Sequence, residues 1–310
     1  MKYSYLNAGV DIKKADELTN IIKKIATKSE IGGFAGIWEH EIFSDYYFAA
    51  CCDGIGTKII PLIEKRDVKT IANDLVAMNL NDLICCGAKP MFFLDYIAAN
   101  KIDTVLLKEF INELNCILEK YNCTLLGGET SELGDLILRN NFDVGGFLVG
   151  ALKKQNLICR DNVKSSDVVI GLKSNGIHSN GFSLIRKLHD DKMIDDVFFD
   201  NLLAPVKIYY DIVIKLNENK LINSCANITG GGIISNLERA IPDNLKLKLN
   251  LDKIPKSDVF EKITKIIGHK EAYSTFNMNV GFALVVSKCN KDIVLDIASD
   301  YEPFVFGEVQ

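Results

Sequence analysis

The sequence contains no CxxC pair. Its nine cysteines (Cys51, Cys52, Cys85, Cys86, Cys116, Cys123, Cys159, Cys225 and Cys289) are odd in number, and two directly follow another cysteine. That pattern is neither a zinc ligand set nor a disulfide framework. It reads as reduced, mostly buried thiols in a cytoplasmic protein. No apolar run approaches the ~20 residues of a membrane span. The first residues, MKYSYLNAGVDIKK, lack the apolar core of a signal peptide. No block of lysine or arginine occurs and the net charge is −5, which argues against a nucleic-acid partner. A polyanionic substrate would therefore need local donors or bridging cations. Neither G-x-x-x-x-G-K-[ST] nor G-x-G-x-x-G is found, so any nucleotide is held by another route. There is also no Ser–His–Asp or Cys–His signature, no short-period repeat and no low-complexity segment.

What is present is an ordinary globular composition, 48% hydrophobic and 25% charged over 310 residues. That length is near the point where one core splits into two. IKKADELTNIIKKIATK (12–28) has the spacing of an amphipathic helix, with Ile21, Ile22 and Ile25 on its apolar side. Strands are expected at 46–52, 91–99, 123–129 and about 144–152. Helices are expected over 68–86 and after an Asp103 N-cap. Residues 153–167 are polar and turn-rich and read as a linker. The pattern then restarts with strand DVVIGLKS, a helix from SLIRKLHD, a proline-initiated helix over APVKIYYDIVIKL, helix IISNLERA, and strands KLKLNL and MNVGFALVVS. Both halves mix strands and helices. The expected fold class is α/β (α+β), in two mixed domains over 1–155 and 165–310.

Glycine-rich turns between strand and helix expose N–H groups that can cradle phosphate, though each is also a common ordinary turn. They occur at 32–36, 53–58, 126–130, 174–181 and 229–232. Carboxylates stand beside them. Asp53 ends an apolar strand, and Glu129 follows two glycines at the end of another. Asp74 and Asp82 share the helix TIANDLVAMNLNDLICC, about 80° apart around its axis. That helix is apolar enough to leave little solvated face, so its acids must cap, pair with a lysine, or bind a cation. Magnesium suits hard oxygen ligands and bridges them to phosphate. His178 lies in a glycine–serine–asparagine loop, which reads as exposed and ligand-facing; a structural histidine is the alternative. Lys23, on the first helix, reads most simply as a solvated charge.

Ten stretches taken together resemble one family. They are YLNAGVD (5–11), GGFAG (32–36), CDGIGTK (52–58), NDLVAMNLNDL (73–83), GAKPMFFLDY (87–96), LLGGET (125–130), SNGIHSNGFSLIRK (174–187), LLAPVKIY (202–209), ITGGG (228–232) and TFNMNVG (275–281). In this order they are similar to the phosphoribosylformylglycinamidine cyclo-ligases, also called aminoimidazole ribonucleotide synthetases. The resemblance implies a homodimer formed through the N-terminal β-sheet, with ATP bound near that interface. It also implies ATP-dependent ring closure of formylglycinamidine ribonucleotide to aminoimidazole ribonucleotide, ADP and phosphate. Carried over by position, it makes Asp53, Asp82 and Glu129 ligands of Mg2+, with Asp74 a fourth. It assigns Gly54, Gly56, Thr57 and Lys58 to ATP phosphates and places Lys23 near ATP. Ser179, Asn180, Gly181, Thr229, Gly230, Gly231 and Gly232 then grip the substrate, and His178 carries a proton. The turn at 32–36 is the expected lid.

This sequence departs from the family pattern at Cys52, in SELGDL after GGET, and at Asn227 and Asn279, which puts substrate-side details in question. Related ATP-dependent enzymes are the alternative reading. Selenophosphate synthetases need an N-terminal Cys or Sec beside a lysine, which is missing before Cys51, and thiamine-monophosphate kinases lack a counterpart of HSNGFSLIRK. A lobe of a larger formylglycinamidine synthetase and a non-catalytic scaffold of the same fold are the remaining alternatives.

Overall fold

The computed structural model describes residues 3–25 and 33–310. Among them the strands are β1 (Gly36–Glu39), β2 (Tyr46–Gly54), β3 (Lys89–Ala99), β4 (Thr124–Glu132), β5 (Phe142–Lys153), β6 (Val168–Lys173), β7 (Ser224–Asn227), β8 (Leu247–Leu249), β9 (Val280–Val286) and β10 (Phe304–Val309). The helices are α1 (Ile12–Ile25), α2 (Ile59–Glu64), α3 (Val68–Leu83), α4 (Thr104–Lys120), α5 (Phe182–Asp190), α6 (Asp196–Asn201), α7 (Tyr210–Glu218), α8 (Gly232–Glu238), α9 (Asp258–Ile267), α10 (His269–Thr275) and α11 (Lys291–Ile297). No described helix is long and apolar enough to cross a membrane.

The strands form two five-stranded sheets, in the orders β1-β2-β5-β3-β4 and β7-β9-β6-β10-β8. In the first, only β3 and β4 run parallel. One of its faces is covered, with α3 packed on β2 and β5. Among the described residues the other face is open. Trp38, Tyr46, Tyr96 and Phe147 stand on it with a third or more of their surface exposed. Strand 46–52 therefore alternates between a covered and an open side, where its apolar run had suggested a strand buried on both. In the second sheet β9 is buried at every position and β6 at five of six, as expected for central strands covered on both faces.

One expected element differs. The helix over APVKIYYDIVIKL begins only at Tyr210. Before it, residues 206–209 are held by side chains of α3. Val206 N–H donates to Asp74 Oδ1 (2.7 Å), and Val206 O accepts from Asn73 Nδ2 (2.9 Å). Asn81 brackets the chain further on, donating to Lys207 O (2.9 Å) and accepting from Tyr209 N–H (3.0 Å). Backbone groups satisfied from outside have no need of a helix. Residues 153–167 connect β5 of the first sheet to β6 of the second and are packed down along the way, with Ile158 and Val163 in the core. On α1, the expected positions 26–28 lie outside the described residues, as does Gly32 of the glycine turn. Leu18, Ile21, Ile22 and Ile25 of that helix are exposed.

Candidate active site at the seam between the domains

The covered side of the first sheet carries one row of four residues from four strands: Asp53, Gly146, Asp95 and Gly128. The two glycines make room for their neighbours. A Cβ on Gly146 would strike Phe93 and the Asn79 amide, and one on Gly128 would strike the Asp95 carboxylate. Asn79 on α3 binds both polar groups of the Asp53 backbone, accepting from its N–H (3.0 Å) and donating to its carbonyl (3.1 Å). This fixes where Asp53 leaves the strand. Burial pushes the Asp53 carboxyl up to about 6, against a hydrogen bond from Gly54 N–H.

Asp82, near the end of α3, accepts from Asn227 Nδ2 at 2.9 Å. Burial pushes it up to about 7 against that hydrogen bond, and the Asp53 charge adds to the rise. The two carboxylates thus repel each other in a poorly solvated place, a donor set suited to a divalent cation. Asp95 is buried, and burial raises its pKa too. It was passed over in the sequence, although an aspartate inside the apolar run MFFLDYIAA was the available signal. Two strand spacings, ~10 Å, separate Asp53 from Asp95 along the row.

Glu129 does not join them in this chain. It pairs with Tyr96, one residue beyond the row, and strand alternation turns it to the open face. Among the described residues, no three His, Cys, Asp or Glu side chains form a cluster that could hold a metal ion.

Lys58 and Asp74, expected on phosphate and metal, are each other's partners. Lys58 Nζ lies 2.7 Å from Asp74 Oδ2, with both side chains fully buried. It also donates to Ala204 O at 2.6 Å. Asp74 further accepts from Val206 N–H and from Ser179 Oγ (3.3 Å). Burial lowers the lysine pKa while Asp74 raises it. Of the neighbouring turn, Gly54 lies beside Val144 O and Gly56 adopts φ +66°, a conformation natural to glycine. Thr57 Oγ1 meets Ser183 Oγ across the seam at 3.0 Å.

His178 is buried, contrary to its expected exposure, with φ +60°. Its Nε2 has no hydrogen-bond partner among the described residues. Burial, with Lys58 and Lys207 nearby, holds its pKa down at about 3. The glycines around it meet backbone demands: Gly176 and Gly181 both have positive φ. Gly181, at φ +80°, begins α5 and packs against Phe276, leaving no room for a Cβ.

The two segments expected to hold substrate come together. Asn180 Oδ1 lies beside Gly230. Asn236 on α8 holds the glycine turn by donating to the carbonyls of Thr229 (3.3 Å), Gly230 (3.3 Å) and Gly232 (2.8 Å). Gly231 and Gly232 both have positive φ. Gly181 N–H donates to Tyr5 Oη at 3.4 Å, so the N-terminal segment reaches the same place. Lys23 is exposed in the last turn of α1. Two cavities of about 930 and 450 Å³ lie elsewhere and touch none of these residues.

Residues 35–152 match the family model described as AIR synthase related protein, N-terminal domain, and 164–310 match the corresponding C-terminal domain. The phosphoribosylformylglycinamidine cyclo-ligase of Prochlorococcus marinus (strain MIT 9312) is 39% identical, covering 96% of this chain and 92% of that protein. That of Finegoldia magna is 36% identical, covering 98% and 94%. Among solved structures, AaThiL complexed with AMPPCP and TMP superimposes with a TM-score of 0.68 at 17% identity, covering 94% of this chain and 89% of that one. T. maritima PurL complexed with ADP gives 0.63 at 18%, covering 93% and 44%. The chain belongs to the phosphoribosylformylglycinamidine cyclo-ligase family.

Proposed function

We propose that this protein uses ATP to close the imidazole ring of aminoimidazole ribonucleotide from formylglycinamidine ribonucleotide, releasing ADP and phosphate, in purine biosynthesis. The observation that carries the reading is near-full-length identity of up to 39% with proteins named for this reaction. An amide oxygen is a poor leaving group. Phosphorylating it gives an iminophosphate, which an amine of the same substrate attacks, so the protein need supply no nucleophile. Its work is to hold charge in place and exclude water.

Asp53 and Asp82 are the residues we assign to magnesium, with Asp95 further along the row. Magnesium commonly takes one or two carboxylates together with phosphate oxygens, which fits a pair better than a closed cage. When bound, the ion would neutralise the carboxylate pair and phosphate charge. The Gly54–Thr57 turn is assigned to the nucleotide phosphates, and Ser179–Gly181 with Thr229–Gly232 to the substrate. Lys58 and His178 are assigned to the seam that positions those two loops. ATP-site binding is supported by the AMPPCP and ADP complexes of the structural neighbours. The open sheet face, which also carries Glu129, is assigned to a second copy of the chain, and cytoplasmic location is the working assignment.

The test is ADP release by the purified protein with magnesium and each of three substrates in turn: formylglycinamidine ribonucleotide, thiamine phosphate and selenide. Stimulation by the first, with formation of the imidazole product, is expected. Stimulation by either of the others alone would overturn the assignment.

A further inference from the structure

Arg239 follows α8 and reaches across to the other domain. Its guanidinium stacks 3.9 Å from the centre of the Phe34 ring, and Nη2 donates to Gly33 O at 2.5 Å. Nη1 contacts Asn236 Oδ1 at 3.4 Å. Asn236 is the side chain that holds the carbonyls of the 229–232 turn. The positive charge also acts on Asp82, whose other partner, Asn227, lies just before that turn. One arginine therefore touches the chain leading into β1, the residue that shapes the C-terminal glycine turn, and the field at the carboxylate pair. Planar stacking combined with a forked donor is a task that suits arginine and that lysine performs poorly.

We propose that Arg239 is a positioning residue that couples the two halves of the site, so that ordering of the 229–232 turn by a phosphoribosyl substrate also fixes the Gly33–Ala35 backbone, which leads into β1 beside the strand that carries Asp53 and the nucleotide turn. The proposal rests on the functional reading above for the identity of the two ligands. Its structural half stands independently. Phe34 is partly buried against the core and Ala35 belongs to it. Arg239 is thus a bridge from a mostly exposed helix end to backbone anchored in the N-terminal domain. Two elements joined in this way share one conformational equilibrium, and a ligand that orders either one favours the other by the same factor.

Two measurements on the full-length protein separate the outcomes. Amide hydrogen exchange over residues 33–39, without ligands, is expected to be about twofold faster in Arg239→Gln than in wild type, with Arg239→Lys close to Gln. Unchanged exchange would show that no bridge exists. AMPPCP affinity is then measured with and without formylglycinamidine ribonucleotide. Substrate is expected to tighten nucleotide binding about twofold in wild type and not at all in Arg239→Gln, which also binds AMPPCP alone several-fold more weakly because its ordered state is less populated. Coupling of equal size in both proteins would overturn the proposal. Failure of the ribonucleotide to bind wild type would instead sink the functional reading, leaving the exchange result to decide the bridge.

Discussion

Lys58 and Asp74 form a fully buried ion pair, 2.7 Å between Nζ and Oδ2, at the junction of the two domains. Removing one partner leaves the other charged and unsolvated, which costs about 3–5 kcal/mol, whereas replacing both with apolar residues costs far less. Asp74→Ala should therefore lower the urea midpoint severely, more so because Val206 N–H and Ser179 Oγ lose an acceptor. Lys58→Met combined with Asp74→Leu should recover much of the loss. Additive losses in the double variant would contradict this account of the pair.

Gly146 sits between Asp53 and Asp95, and an added methyl would strike Phe93 and the Asn79 amide. Gly146→Ala should destabilise the protein by about 1–3 kcal/mol through overpacking. Because Asn79 also fixes the Asp53 backbone, activity should fall by more than the loss of folded protein explains. Turnover per folded molecule equal to wild type would disconnect Asn79 from the site.

The limits of the sequence are instructive at particular residues. Helix 68–83 and its crowded polar positions were legible, because acids and amides on an apolar helix need partners. Their partners were not, since Val206 and Tyr209 are more than a hundred residues away and bond through backbone that composition does not mark. Glu129 shares a glycine-rich setting with Asp53, yet a single step along a strand reverses the face, and register is decided by pairing with β3. His178 looked exposed because glycine and serine surround it. In the fold those residues supply turns, and the imidazole fills the space beneath them.

Burial pushes the Asp53 and Asp82 carboxyls up to about 6 and about 7, above their ordinary 3.8. The native state thus keeps protons that the unfolded chain has released, and stability falls as pH rises through those values. His178 acts in reverse: held near 3 instead of 6.5, it removes stability as pH drops below 6.5. Only above about pH 7.5 do the carboxylates act alone. Lowering the pH of magnesium-free protein from about 8 to about 6.5 should raise its unfolding free energy by roughly 0.5 kcal/mol, the carboxylate gain being partly offset by His178. Asp82→Asn should flatten most of that slope, and magnesium should flatten it in wild type by stabilising the ionised pair. Thermal melts across this range supply the check; a wild-type profile already flat without magnesium would count against the repelling pair.

The open face of the first sheet ends the list of unmet physical demands. Trp38 and Phe147 are 59% and 43% exposed there, and Trp38 joins a ring cluster with His40 and Phe48. Apolar patches of this kind on a sheet face mark an interface. A symmetric pairing would bury the same residues twice, so one charge enters the contact two times over. Phe147→Glu should convert a dimer to a monomer in light scattering, with an unchanged circular dichroism spectrum because the side chain faces away from the core. If wild type runs as a monomer at assay concentration, or if the glutamate variant still dimerises, the second copy binds elsewhere and Glu129 loses its assigned surroundings.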